Sequence, residues 1–206
     1  GYQAASSASA ENTDVGNIGA GMGASVGKVL GMQNAMKAGL GTASIELGGG
    51  VIVGAIGAVN AFGDVISPQT GAILAGARSG QVGPLKIGEE GDFANTLHTM
   101  QTLSGRTIMK VATRDNTVIG AVATNAKLTK AEATKVAQMA QDGLARTIRP
   151  AHTMLDGDTI FAISTGNKKA DVSTIGAFAA EVMAQAILRG TEEAKSAGGL
   201  PGLKLE

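Results

Sequence analysis

The sequence predicts an α+β domain, and three observations carry that prediction. Short apolar strand patterns recur along the chain, two of them joined by the glycines Gly48–Gly50. Two long helical patterns follow in the second half, Thr129 to Thr147 and Val172 to about Lys195. The longest apolar stretch, Val51 to Phe62, is only 12 residues and is interrupted by Asn60. Two layers of strands with helices outside would accommodate this order. So would a single sheet with helices on one face.

Gly1 to Ala10 reads as the end of a helix and Asn12 to Lys28 as a glycine-dominated turn. Thr42–Leu47 and Val51–Phe62 read as strands; the second, apolar but for Asn60, is expected to be buried on both faces. Ser67–Gly71 is a turn, and Gly76–Gly91 has loop composition. Asp92 stands where an N-cap belongs, ahead of the helical spacing Phe93, Leu97, Met100, Leu103. Thr107–Thr113 and Thr117–Thr124 are strand patterns separated by Arg114-Asp115-Asn116. Thr129, with Glu132 three residues on, is a capping-box start for a helix carrying Val136, Met139, Ala140, Gly143 and Leu144 on one face. Thr159–Thr165 is a strand, and the helix from Val172 closes the chain.

Composition narrows the function. Lys and Arg total 17 against 17 Asp and Glu, so nothing favours nucleic acid or an anionic membrane surface as partner. Cysteine is absent, which excludes disulfides, thiolate metal sites and a cysteine nucleophile. No stretch approaches the roughly 20 apolar residues of a membrane-spanning helix, and GYQAASSASAENTD lacks the basic and apolar regions of a signal peptide. A cytoplasmic protein is the expectation. The chain begins without Met inside a small-residue helical pattern, which reads as a piece of a longer polypeptide. With 31 glycines, four Phe, one Tyr and no Trp, its backbones must approach closely, and burial between subunits would add to a thin core. A homo-oligomer is therefore expected.

Few segments carry chemistry. GAGMGASVGKV looks like a phosphate cradle, but a P-loop requires Ser or Thr after its lysine, where Val29 stands. Gly19, Gly21 and Ala24 fit a dinucleotide fingerprint with no convincing strand before it; a structural glycine turn is the alternative. Lys28 is the lone cation in an uncharged stretch from Val15 to Met36. His98, His152 and the pair Asp156 and Asp158 lack metal-ligand spacing, so neither a metal nor a cofactor is expected. Asp156-Gly157-Asp158 is either a turn before a strand or a carboxylate pair orienting a catalytic group. At Asn116-Thr117 a polar turn hands over to an apolar strand. Thr117 is an ordinary strand start or, if the bond to Asn116 breaks, an N-terminal nucleophile. Its own α-amine, with an ordinary pKa of about 7.7–8.0, would then be its base.

Taken together, GNIGAGMGASVGKV, VIVGAIGAVNAFGDV, DNTVIGAVATNAKLT, IRPAHTMLDGDTIFAIST and TIGAFAAEVMAQAIL resemble the L-aminopeptidase/D-esterase (DmpA) family of N-terminal-nucleophile hydrolases. The likeness is to its threonine branch, the 6-aminohexanoate-oligomer (nylon-oligomer) hydrolases. The resemblance implies a four-layer αββα sandwich and a homotetramer or larger ring. Residues 1–206 would be one partial domain, with 1–116 ending an α-subunit portion and 117–206 forming the β-subunit portion. Family members carry further N-terminal strands and a tyrosine-bearing glycine segment that nothing here matches. By the same resemblance Thr117 falls on the nucleophile and Asn116–Thr117 on the self-cleavage bond. Lys28 falls on the active-site lysine, Asn60 on the oxyanion asparagine, and Asp156 and Asp158 on the acidic pair. The implied activity is hydrolysis of linear amide oligomers or short peptides through an acyl-enzyme. An aminopeptidase of the β-aminopeptidase type, an ornithine acetyltransferase-like acyltransferase and a non-catalytic scaffold are the competing readings.

Overall fold

The computed structural model describes residues 2–9, 14–82, 85–87, 92–102, 105, 107 and 116–205. In chain order its strands are β1 (Ser25–Val26), β2 (Met36–Lys37), β3 (Leu40–Leu47), β4 (Val51–Ala58), β5 (Asp64–Ile66), β6 (Ile73–Ala75), β7 (Gly80–Val82), β8 (Leu85–Ile87), β9 (Ile119–Ala126), β10 (Ile148–Arg149) and β11 (Thr159–Lys168). The helices are α1 (Tyr2–Ser6), α2 (Thr96–Gln101), α3 (Lys130–Thr147) and α4 (Val172–Glu192).

A four-stranded sheet in the order β11-β9-β4-β3 organises the molecule. β3 and β4 form the expected antiparallel hairpin through Gly48–Gly50, β4 pairs antiparallel with β9, and β9 runs parallel to β11. One face of the sheet packs against α3 and α4. Val53 and Val122 of the sheet meet Leu144 of α3 and Ile175, Met183 and Ile187 of α4 in one core. A smaller sheet, β10-β5-β6, flanks it.

Burial along β4 alternates, with Val51, Val53 and Ala55 inside while Ile52 and Ile56 are exposed. The expectation of a strand buried on both faces is thus corrected. Among the described residues α3 and α4 cover one face, and Ile119, Phe161 and Ile163 continue the exposed apolar side of the same sheet. The described residues therefore supply one helical layer and its sheet.

α3 begins as its sequence dictates. Thr129 Oγ1 accepts from Glu132 N at 3.3 Å, and Glu132 Oε2 accepts from Thr129 N at 2.7 Å. The N-cap of α2 is Asn95, not Asp92: Asn95 Oδ1 accepts from His98 N at 3.1 Å. The loop reading of Gly76–Gly91 is modified by the short β7–β8 hairpin. The strand expected over Thr107–Thr113 lies, apart from Thr107, outside the described residues. No described helix is long and apolar enough to cross a membrane.

Buried polar groups tie the second sheet to α2. Asp64, 2% exposed, accepts from Ala77 N at 2.9 Å, Thr96 N at 2.7 Å and Thr96 Oγ1 at 2.8 Å. Burial pushes its pKa above the usual carboxylate value, and these donors oppose that shift.

A close backbone approach joins β3 to α4. A Cβ at Gly41 would stand 1.9 Å from Ala186 O and 2.4 Å from Gly190 N. Neither neighbour is a side chain that can rotate away, so Gly41→Ala forces strand and helix apart. It is expected to cost about 2 kcal/mol or more, read as a fall of several degrees in the thermal midpoint.

Candidate active site

The main-chain ladder of the central sheet continues past the first residue of β9. Thr159 N donates to Val118 O at 3.0 Å, and Gly157 N donates to Asn116 O at 2.9 Å. From the other side Thr117 N donates to Asn60 O at 2.9 Å, just beyond the end of β4. Asn116 is buried and bridges to Asp156 in the parallel sense. Asn116 to Val118 are thus held as an extension of β9, with the Asn116–Thr117 bond between two anchoring segments. Thr117 Oγ1 donates to Asn116 O at 2.5 Å.

Lys28 enters from the glycine turn. Its backbone is anchored by Lys28 N donating to Phe62 O at 3.0 Å. Its Nζ donates to Asn60 Oδ1 at 2.6 Å and lies 3.4 Å from Asn60 O, the same oxygen that accepts from Thr117 N. Ser25 N also donates to Asn60 Oδ1, at 3.3 Å. With Oδ1 so engaged, Nδ2 is the donating end of an amide that lines the adjoining cavity. Lys28, Asn60 and Thr117 therefore form one contiguous group.

The two carboxylates stand beside this group and bind main chain. Asp156 Oδ1 accepts from Phe62 N at 3.1 Å, and its Oδ2 accepts from Thr153 N and Oγ1 at 3.1 and 2.7 Å. Asp158 Oδ1 accepts from Val118 N at 2.9 Å, while its Oδ2 faces His152 N at 3.3 Å and Nδ1 at 3.0 Å. Burial raises the Asp158 pKa and Asp156 adds to this, whereas the Val118 N–H and His152 pull it down. The hydrogen bonds of the Thr117 hydroxyl and amide go elsewhere, to Asn116 O and Asn60 O.

A cavity of about 560 Å³ opens beside Thr117 and Asn60. Ala24, Leu40, Ile56, Ile119 and Phe161 wall it with carbon. The turn on its rim is pinned by Lys37, buried at 5% exposure, whose Nζ donates to Met22 O at 2.7 Å; burial lowers its pKa. Sequence reasoning passed over Lys37, and weighed His152 only as a metal ligand and Gly157 only as part of a turn. A lysine inside an otherwise apolar β2 was the available signal for Lys37. Among the described residues no group of three or more His, Asp or Glu is placed to hold a metal ion.

Comparison with known proteins places the chain in a family. The profile of peptidase family S58 matches residues 1–204, and the chain belongs to that family. It is 38% identical over 216 aligned positions to an uncharacterized aminopeptidase of Mycobacterium leprae, covering 97% of this chain and 55% of that one. With a 6-aminohexanoate-oligomer endohydrolase of Kocuria sp. it shares 31% identity over 84% of this chain and 49% of the relative. The chain thus spans about half the length of these relatives. Among solved structures, the L-aminopeptidase D-Ala-esterase/amidase of Ochrobactrum anthropi, described as a new variant among the Ntn hydrolase fold, matches with a TM-score of 0.60 at 20% identity. That match covers 94% of this chain and 48% of the other, and the α+β N-terminal-nucleophile hydrolase fold is the fold of this chain.

The carboxylate of Asp156 is the acceptor for an otherwise buried Phe62 N–H. Asp156→Ala is expected to lower stability by about 1–3 kcal/mol and to speed amide hydrogen exchange at Phe62 and Thr153. Unchanged exchange at both amides would remove that role.

Proposed function

We propose that the protein is an amide-bond hydrolase that matures by cleaving its own Asn116–Thr117 bond and then uses Thr117 as an N-terminal nucleophile. One observation carries this reading. The Thr117 hydroxyl lies on the carbonyl of Asn116, while the Thr117 nitrogen sits on Asn60 O beside the Lys28 ammonium. Family membership supports the reaction class.

In turnover, Thr117 Oγ1 attacks the substrate carbonyl and its own α-amine accepts the hydroxyl proton. The amine passes that proton to the departing nitrogen. Water then takes the acyl group off the threonine ester. The amine serves as base only when neutral, and a cation one hydrogen-bond acceptor away disfavours its protonated form. Lys28 supplies that cation. Asn60 offers an amide N–H to the oxyanion of the tetrahedral intermediate. Asp158 and Asp156 hold the strand and loop on either side of the nucleophile.

The carbon-walled cavity suits an acyl part made of uncharged methylenes, such as a linear ω-amino-acid oligomer, and one relative bears the name of such an endohydrolase. A second reading, an aminopeptidase acting on short peptides, is favoured by the higher identity to a relative named for that activity. Assays of the purified protein on 6-aminohexanoate oligomers and on aminoacyl p-nitroanilides separate the two. Turnover of the anilides alone would establish the second.

Thr117→Ala is expected to leave a single uncleaved chain by intact-mass spectrometry and to abolish turnover. Cleavage at the same bond in that variant would sink the mechanism. Lys28→Met removes the neighbouring cation, so the α-amine pKa rises. The acid limb of the kcat/KM profile is then expected to move to higher pH, and a limb that stays in place would remove Lys28 from this role.

A further inference from the structure

We propose that the backbone N–H of Gly157 is the oxyanion donor of the self-cleavage step, a role that rests on the self-cleavage reading above and is separate from substrate turnover. The carbonyl that Thr117 Oγ1 would attack, that of Asn116, accepts from Gly157 N at 2.9 Å. This donor is held from both sides. Asp156 before it is tied to Phe62 N and Thr153, and Asp158 after it to Val118 N and His152. The Asn116–Asp156 bridge sets the two strands in register at that point. A donor so fixed pays no reorganisation as charge develops on the oxygen, which is the condition under which such donors are most effective.

The side chain missing at residue 157 is the second observation. The φ of Gly157 is not in the left-handed region, so the backbone conformation does not call for glycine. The space does. A Cβ there would stand 2.9 Å from Thr117 Oγ1, nearer than real Cβ atoms come to anything. Glycine therefore leaves room for the nucleophilic oxygen on the side from which the carbonyl is gripped.

In the step itself the Oγ1–C bond forms and the carbonyl oxygen takes the negative charge, facing Gly157 N–H. The hydroxyl proton goes to Thr117 N, which departs as an amine when the C–N bond breaks. Water then splits the ester, leaving a carboxylate on Asn116 and restoring the Thr117 hydroxyl.

The test replaces a single amide by an ester in the full chain. Cell-free translation with glycolic acid at position 157 removes the N–H and adds no bulk. The α-hydroxy counterpart of Thr159 removes the neighbouring rung, Thr159 N to Val118 O at 3.0 Å, which holds the same strand without touching the carbonyl. Intact mass followed over time reads cleavage. The ester at 157 is expected to slow cleavage about 100-fold or more, and the ester at 159 by only a few-fold. Equal slowing by both would make the Gly157 contact a strand-holding rung and overturn the proposal. So would an unslowed ester at 157 in a protein whose unmodified form cleaves. If the unmodified chain does not cleave at Asn116–Thr117, the self-cleavage reading fails and this inference falls with it.

Discussion

The site depends on one constraint, the continuation of the β9 ladder beyond Ile119 into Asn116–Val118. A strand end normally frays into solvent, because its N–H and C=O groups lose their partners once the sheet stops. Here two segments prevent that. Asn60 takes the N–H of Thr117, Gly157 and Thr159 donate to Asn116 and Val118, and Asp158 takes the N–H of Val118. β9 lies between β4 and β11, so segments at or beyond the ends of both neighbours reach Asn116–Val118, Asn60 at Thr117 and residues 157–159 at Asn116 and Val118. A peptide bond gripped from two sides has few conformations left, and the proposed self-cleavage would start from one of them.

Part of this architecture was legible in the sequence for local reasons. Thr129 and Glu132 specify the start of α3 through bonds only three residues apart, and Gly48–Gly50 specify the hairpin through backbone freedom. Where the reading erred, a non-local contact decided the outcome. Val51–Phe62 is apolar but for Asn60, yet whether Ile52 and Ile56 are covered depends on what packs against each face of the sheet, and α3 and α4 both lie on one. Asn95 displaced Asp92 as the cap of α2, where Asp64 fixes the helix start from 32 residues away through Thr96.

The candidate site was legible only as separate residues. Lys28 and Asn60 are 32 positions apart and meet at 2.6 Å, and nothing in the periodicity of either segment announces that contact. Resemblance to a family supplied the grouping. It did not distinguish carboxylates that touch a reacting atom from carboxylates that hold main chain, and Asp156 and Asp158 are bonded to main chain here. Gly157 escaped notice because a glycine between two aspartates reads as a turn. Its use of space becomes visible only against Thr117 Oγ1.

The geometry also bears on how a base can be in position before it exists. In the uncleaved chain the nitrogen of Thr117 is an amide and has no basic lone pair. It is nevertheless already placed on Asn60 O, the oxygen that Lys28 Nζ also approaches. In the proposed reaction that nitrogen changes from amide to amine without having to leave its acceptor, so the new base starts next to the cation that keeps it neutral. The main-chain carbonyl of Asn60 thus serves both states, first by pinning a strand and afterwards by orienting an amine. An acceptor supplied by a flexible side chain could rotate when the bond breaks. A backbone carbonyl just beyond the end of β4, itself held in the sheet by β3 and β9, is far less able to do so, which is why a maturing site benefits from resting on main chain at this point.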